Sequence, residues 1–125
     1  MQLRLFSAED VRRALPMVEA IAAVKAGYVQ LSAGRAQVPL RTHLNVGQDD
    51  STLVMPFHAP DDGGALGLKV VSVFNSNPPR GLPLIHALVL ALDAATGVPL
   101  ALIEGSSLTA IRTGAASGAA TDTLA

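Results

Sequence analysis

The rhythm of apolar and polar positions changes twice along this chain. Residues 2–6 alternate weakly and predict a short strand. Ser7-Ala8-Glu9-Asp10 then reads as a helix start, a serine cap followed by acids in the first turn. Pro16 closes that helix and, because proline is tolerated in an opening turn, begins a second. Within it Met17, Ile21, Val24, Tyr28 and Leu31 recur every three or four residues, the spacing of one helical face, until Gly34. The stripe is too short for a coiled-coil seam and is expected to pack into a core.

From residue 38 the period falls to two. Across Val38–Val46, one face carries Leu40, Thr42, Leu44 and Val46 and the other Arg41, His43 and Asn45. Leu53–Phe57 predicts a second strand of this run and Leu66–Phe74 a third, separated by the turn signal Asp61-Asp62-Gly63-Gly64. Asn75–Pro83 holds three prolines and reads as a structured loop. Leu84–Leu92 and Val98–Ile103 are two more strands, joined by the turn Asp93–Gly97. A helix of small residues opens at Gly105-Ser106-Ser107 and runs to the C-terminal residue, with Leu108, Ile111, Ala115 and Ala119 as its apolar face. Gly114 and Gly118 in it permit close helix packing. The order implies an α+β fold: N-terminal helices, a mixed or antiparallel sheet of five to six strands, and a C-terminal helix.

The chain has 125 residues, 50% hydrophobic and 15% charged, which allows one domain and excludes disorder. Nine Lys and Arg against ten Asp and Glu, with only 3% aromatics, supply neither a basic surface nor a stacking platform for nucleic acid. No apolar run reaches the ~20 residues of a membrane span, so neither nucleic acid nor membrane is an expected partner and a cytoplasmic location is expected. Cysteine is absent, and His43, His58 and His86 lack ligand spacing, so no metal site is expected.

Three cations stand out. Lys69 lies in a strand otherwise apolar on both faces, so it either finds a partner or snorkels to water. Arg112 edges the apolar face of the last helix, whose opening, Gly105–Thr109, offers backbone N–H groups and hydroxyls suited to an anion or simply to capping. Arg41, beside His43 on a polar strand face, could grip a carboxylate with both guanidinium nitrogens or merely face solvent. If the fold brings them together, they suit a small carboxylate. Neither a G-x-G-x-x-G run nor a phosphate-loop pattern occurs.

Several motifs agree in order with one family. Arg41-Thr42, Met55-Pro56, Lys69–Phe74, Asn77-Pro78, Gly81-Leu82-Pro83, Asp93-x-x-Thr96-Gly97-x-Pro99-Leu100-Ala101 and the run Glu104–Ser117 together resemble the ornithine cyclodeaminase and mu-crystallin family over residues 38–124. The resemblance implies the substrate-binding and dimerisation domain (1–125) of an NAD- or NADP-dependent enzyme. Such an enzyme acts on a small amino or imino acid as a cyclodeaminase, alanine dehydrogenase or ketimine reductase. It implies that Arg41, Lys69 and Arg112 hold the substrate carboxylate, Lys69 near the reacting carbon, with Arg112 and Thr113 bordering the cofactor. It further implies a homodimer. The family's glycine-rich nucleotide fingerprint and dinucleotide-binding (Rossmann) domain lie beyond the last helix seen here. The chain is therefore expected to be truncated before that domain and inactive alone. The alternative is a non-catalytic dimerisation or anion-binding module.

Overall fold

The computed structural model describes residues 1–124. It contains β1 (Arg4–Phe6), α1 (Ala8–Ala14), α2 (Met17–Ser32), β2 (Thr42–Asn45), β3 (Asp50–Ala59), β4 (Ala65–Phe74), β5 (Ile85–Leu92), β6 (Pro99–Glu104) and α3 (Gly105–Leu124). The six strands form one sheet in the order β1-β6-β5-β4-β3-β2. All neighbours are antiparallel except β1 and β6, which run parallel, so the sheet is mixed. The last helix meets expectation as far as Leu124; Ala125 lies outside the described residues.

Local chemistry explains most boundaries. Ser7 and Asp10 form a reciprocal capping box at the start of α1. Asp93 accepts from the backbone N–H groups of Ala95 and Thr96 and folds the β5–β6 turn, with Gly97 at φ 75°. Two strands depart from the expected ranges. β2 is only four residues long, because Pro39 has no N–H to give a ladder and Leu40 stands almost wholly exposed. β3 is longer than expected and passes through Pro56. There the chain is in effect an edge: β2 ends opposite Val54, so the amide that Pro56 lacks had no strand to pair with. Two residues on, His58 exchanges both backbone hydrogen bonds with Gln37.

The helices cover one sheet face through small residues. Ala87, Val89 and Ala101 are buried on that face, and Gly105 sits directly over Ala87. The α2–α3 contact runs along Gly114 and Gly118, which face Met17 and Ile21 respectively. The expected core stripe of α2 therefore divides. Met17 and Ile21 pack on α3, whereas Val24, Tyr28 and Leu31 border an open cleft. At its C-terminal end α2 is tied to the β3–β4 turn. The Gln30 side chain accepts from the Asp61 N–H, and Arg35 holds the Asp61 carboxylate with two nitrogens, the shortest contact 2.8 Å. The other sheet face is open: Leu44, Val70 and Leu88 lie on it at 54%, 36% and 51% exposure. No helix among the described residues is long and apolar enough to cross a membrane.

Candidate functional site

Strand register sets the stage for Lys69. Met55, Lys69, Val89 and Ile103 are successive partners across β3, β4, β5 and β6, so all four project onto the helix-covered face. Lys69 is thereby half-buried beneath α3. Its ammonium donates to the Thr109 hydroxyl at 2.8 Å. A hydroxyl satisfies one N–H but carries no charge, and no carboxylate among the described residues stands within ion-pair distance. Burial first, and the neighbouring Arg112 charge second, hold its pKa below the ordinary lysine range.

Lys69, Thr109 and Arg112 line one cleft of about 320 Å³, whose remaining wall includes Met55, Phe57, Val89 and Leu108. Arg112 follows Thr109 by three residues and so shares its helix face. Phe57 owes its place to Gly67. A Cβ on that glycine would fall 2.5 Å from the Phe57 ring and 2.8 Å from the Leu90 carbonyl oxygen, so only glycine lets the ring lie across β4. A second cleft of about 280 Å³ adjoins the first and shares Val38, Phe57 and Arg112 with it; Tyr28 and Leu31 of α2 line its far side.

The fold thus brings Lys69 and Arg112 together and leaves the other two sequence-derived candidates outside the clefts. Arg41 is exposed, one residue before β2. Since Thr42 pairs with Val54, Arg41 stands at the outer end of the row containing Met55 and Lys69. Thr113 is exposed on α3, and its hydroxyl donates to the Thr109 carbonyl at 2.8 Å. Of the two readings of the opening of α3, an anion site or a capped start, the structure has the capped one. Glu104 caps that helix, accepting from Ser106 and Ser107 at 2.8 and 2.9 Å, and these bonds hold its carboxyl below the usual range against the opposing effect of burial. The Ser107 hydroxyl is engaged by Arg12 of α1. Thr109, Met55, Phe57 and Val38 were not singled out from the sequence as cleft residues. Of these, Thr109 shares a helical face with Arg112 and Met55 stands in the Met55-Pro56 motif, whereas Phe57 and Val38 left no readable sign.

Two cations without a carboxylate partner among the described residues, with a hydroxyl beside them in an otherwise apolar cleft, can hold a small carboxylate. The strand-to-helix junction β6–α3 does not suit a dinucleotide phosphate, because the Glu104 carboxylate already occupies the helix N–H groups that would bind it.

Known proteins share this arrangement of elements. A Delta(1)-pyrroline-2-carboxylate reductase from Bacillus cereus is 44% identical over 122 residues, which cover 97% of this chain and 37% of that protein. The structure of the Thermococcus litoralis Delta(1)-pyrroline-2-carboxylate reductase in complex with NADH and L-proline matches 94% of this chain and 36% of its own, with a TM-score of 0.83 and 42% identity. An archaeal alanine dehydrogenase dimer with bound NAD matches with a TM-score of 0.87 and 34% identity, again over 94% of this chain and 36% of its own. The chain spans little more than a third of the length of these relatives. The model of the ornithine cyclodeaminase/mu-crystallin family covers residues 2–125, and with that the sheet, the cleft and the motifs have one common explanation: the chain belongs to this family.

Proposed function

We propose that this chain is the substrate-holding and dimer-forming part of an NAD- or NADP-dependent oxidoreductase acting on a small amino or imino acid. The observation that carries the reading is the pairing of Lys69 with Arg112 in one apolar cleft with no carboxylate among the described residues to neutralise them. A substrate carboxylate supplies the missing negative charge. Arg112 offers it a planar pair of donors, and Lys69 offers a point charge that Thr109 keeps aimed. Arg41 closes over the same carboxylate from the outer end of its row. The carbon bearing the nitrogen then lies against Met55 and Val89, out of water, where fixing its orientation accounts for most of the rate a protein can contribute.

The nicotinamide, when bound, supplies or removes the hydride. Arg112 and Thr113 border it, while its phosphates are held by residues other than the capped junction before α3. Support for this cofactor comes from the NADH and NAD complexes of the two related structures, and support for a homodimer from the alanine dehydrogenase dimer. The open sheet face, with Leu44, Val70 and Leu88 exposed, supplies the apolar surface such pairing needs.

The test is titration of the protein with pyrrole-2-carboxylate, a planar anion, followed by amide chemical shifts. Shifts should centre on Lys69, Thr109 and Arg112, and Lys69→Met should weaken binding at least about tenfold, the worth of one charge-assisted contact. Binding unchanged in Lys69→Met would overturn the assignment.

A further inference from the structure

Past its first turn, the hydroxyls of α3 follow one habit with one exception. Those of Thr113, Ser117, Thr121 and Thr123 each donate to the carbonyl four residues back, at 2.8 to 3.4 Å. A helical Ser or Thr finds a ready acceptor there. Thr109 does otherwise. Its hydroxyl oxygen accepts from the Lys69 ammonium at 2.8 Å, and among the described residues it makes no bond to the Gly105 carbonyl. The close approach of α3 to the sheet puts it in reach. At Gly105 a Cβ would fall 2.7 Å from the Ala87 methyl, so the helix starts hard against β5, and one turn on Thr109 meets Lys69 of the neighbouring strand.

A hydroxyl has one proton to give and two lone pairs. With an ammonium hydrogen on one lone pair, its own hydrogen turns away from that charge, and the ammonium polarises it into a stronger donor. The cleft that Thr109 lines with Lys69, Arg112 and Met55 lies beside it. Arg112 is three residues on, about 5–6 Å away between Cβ atoms, a gap one carboxylate group can bridge. Resting on the carboxylate-holding role proposed above, we infer that Thr109 is itself a binding residue. Its hydroxyl donates directly to a carboxylate oxygen while accepting from Lys69, a contact to the anion beyond its part in aiming the lysine.

Thr109→Val keeps the shape of the side chain and removes the hydroxyl, whereas Thr109→Ser keeps the hydroxyl. Titration with pyrrole-2-carboxylate should find Thr109→Val at least about fivefold weaker than the unaltered protein, and Thr109→Ser within about twofold of it. A crystal structure of the unaltered protein with pyrrole-2-carboxylate reads the contact itself: Thr109 Oγ1 should lie within about 3 Å of a carboxylate oxygen. If the carboxylate sits on Lys69 and Arg112 with that hydroxyl beyond about 3.5 Å, Thr109 only aims the lysine; the inference is overturned and the carboxylate site stands. Undiminished binding by Thr109→Val, or equal weakness in Thr109→Ser, overturns it as well. A ligand whose binding ignores Lys69→Met removes the carboxylate site and this inference with it.

Discussion

Lys69 is held in its charged state against two opposing influences, burial and the Arg112 guanidinium. The negative charge of a bound carboxylate offsets both, so its affinity depends on a proton the free site holds weakly. Affinity should fall as pH rises through the Lys69 pKa, beginning below the ordinary lysine range, and Lys69→Met should abolish that slope; titrations at several pH values read it directly. For folding the sign is the opposite. A lysine whose pKa is depressed in the native state weighs against folding while charged, and the penalty lifts as pH climbs above its native pKa. Glu104 behaves in the ordinary acidic sense. Its pKa is lowered by the N–H groups of Ser106 and Ser107, so the stability it lends is present above the unfolded glutamate value and lost as pH falls through the lower native one. Glu104→Ala should cost about 1 kcal/mol in urea denaturation, the usual worth of a helix cap.

Among the elements, the glycines separate by what lies above them. Gly67→Ala would drive a methyl into the Phe57 ring and the Leu90 carbonyl, and should destabilise by about 1–3 kcal/mol while disturbing the cleft wall. Gly114→Ala meets only the flexible tip of Met17, at 3.3 Å, and should be neutral or stabilising by up to about 1 kcal/mol through helix propensity. Thermal unfolding of the two variants side by side checks the contrast. The same elements show how far the sequence could be read. Apolar runs bounded by turn signals located β4, β5 and β6 within a residue or two; period-two patterning was the weaker guide. It overran β2, because apolar spacing continued through Val38 and Leu40 although Pro39 forbids the ladder. Lys69 was legible as an anomaly, a charge in an apolar strand, and Arg112 as a cation on a helix edge. Their meeting was not, since it depends on how α3 crosses the sheet, which no local pattern encodes. At the start of α3 capping was legible but the capping residue was not, since Glu104 falls just past the end of its expected strand.

At the scale of the molecule, the sheet has one face packed by helices and one face left apolar. If two copies pair through the open face, Val70→Glu combined with Leu88→Glu should shift sedimentation toward monomer without loss of helical signal, since both side chains already stand partly in water. The buckle between α2 and the β3–β4 turn acts on a different property. Gln30 is buried and serves at both ends of its residue: its side chain accepts from Asp61, its backbone oxygen from Arg35 and Ala36, and Arg35 returns to grip Asp61. Tyr28 and Leu31 stand on one side of that buckle and Phe57 on the other, so the gap between them is fixed before any ligand arrives. The tie works like a spreader bar: it holds the two walls of an open cleft apart and leaves the mouth between them to solvent.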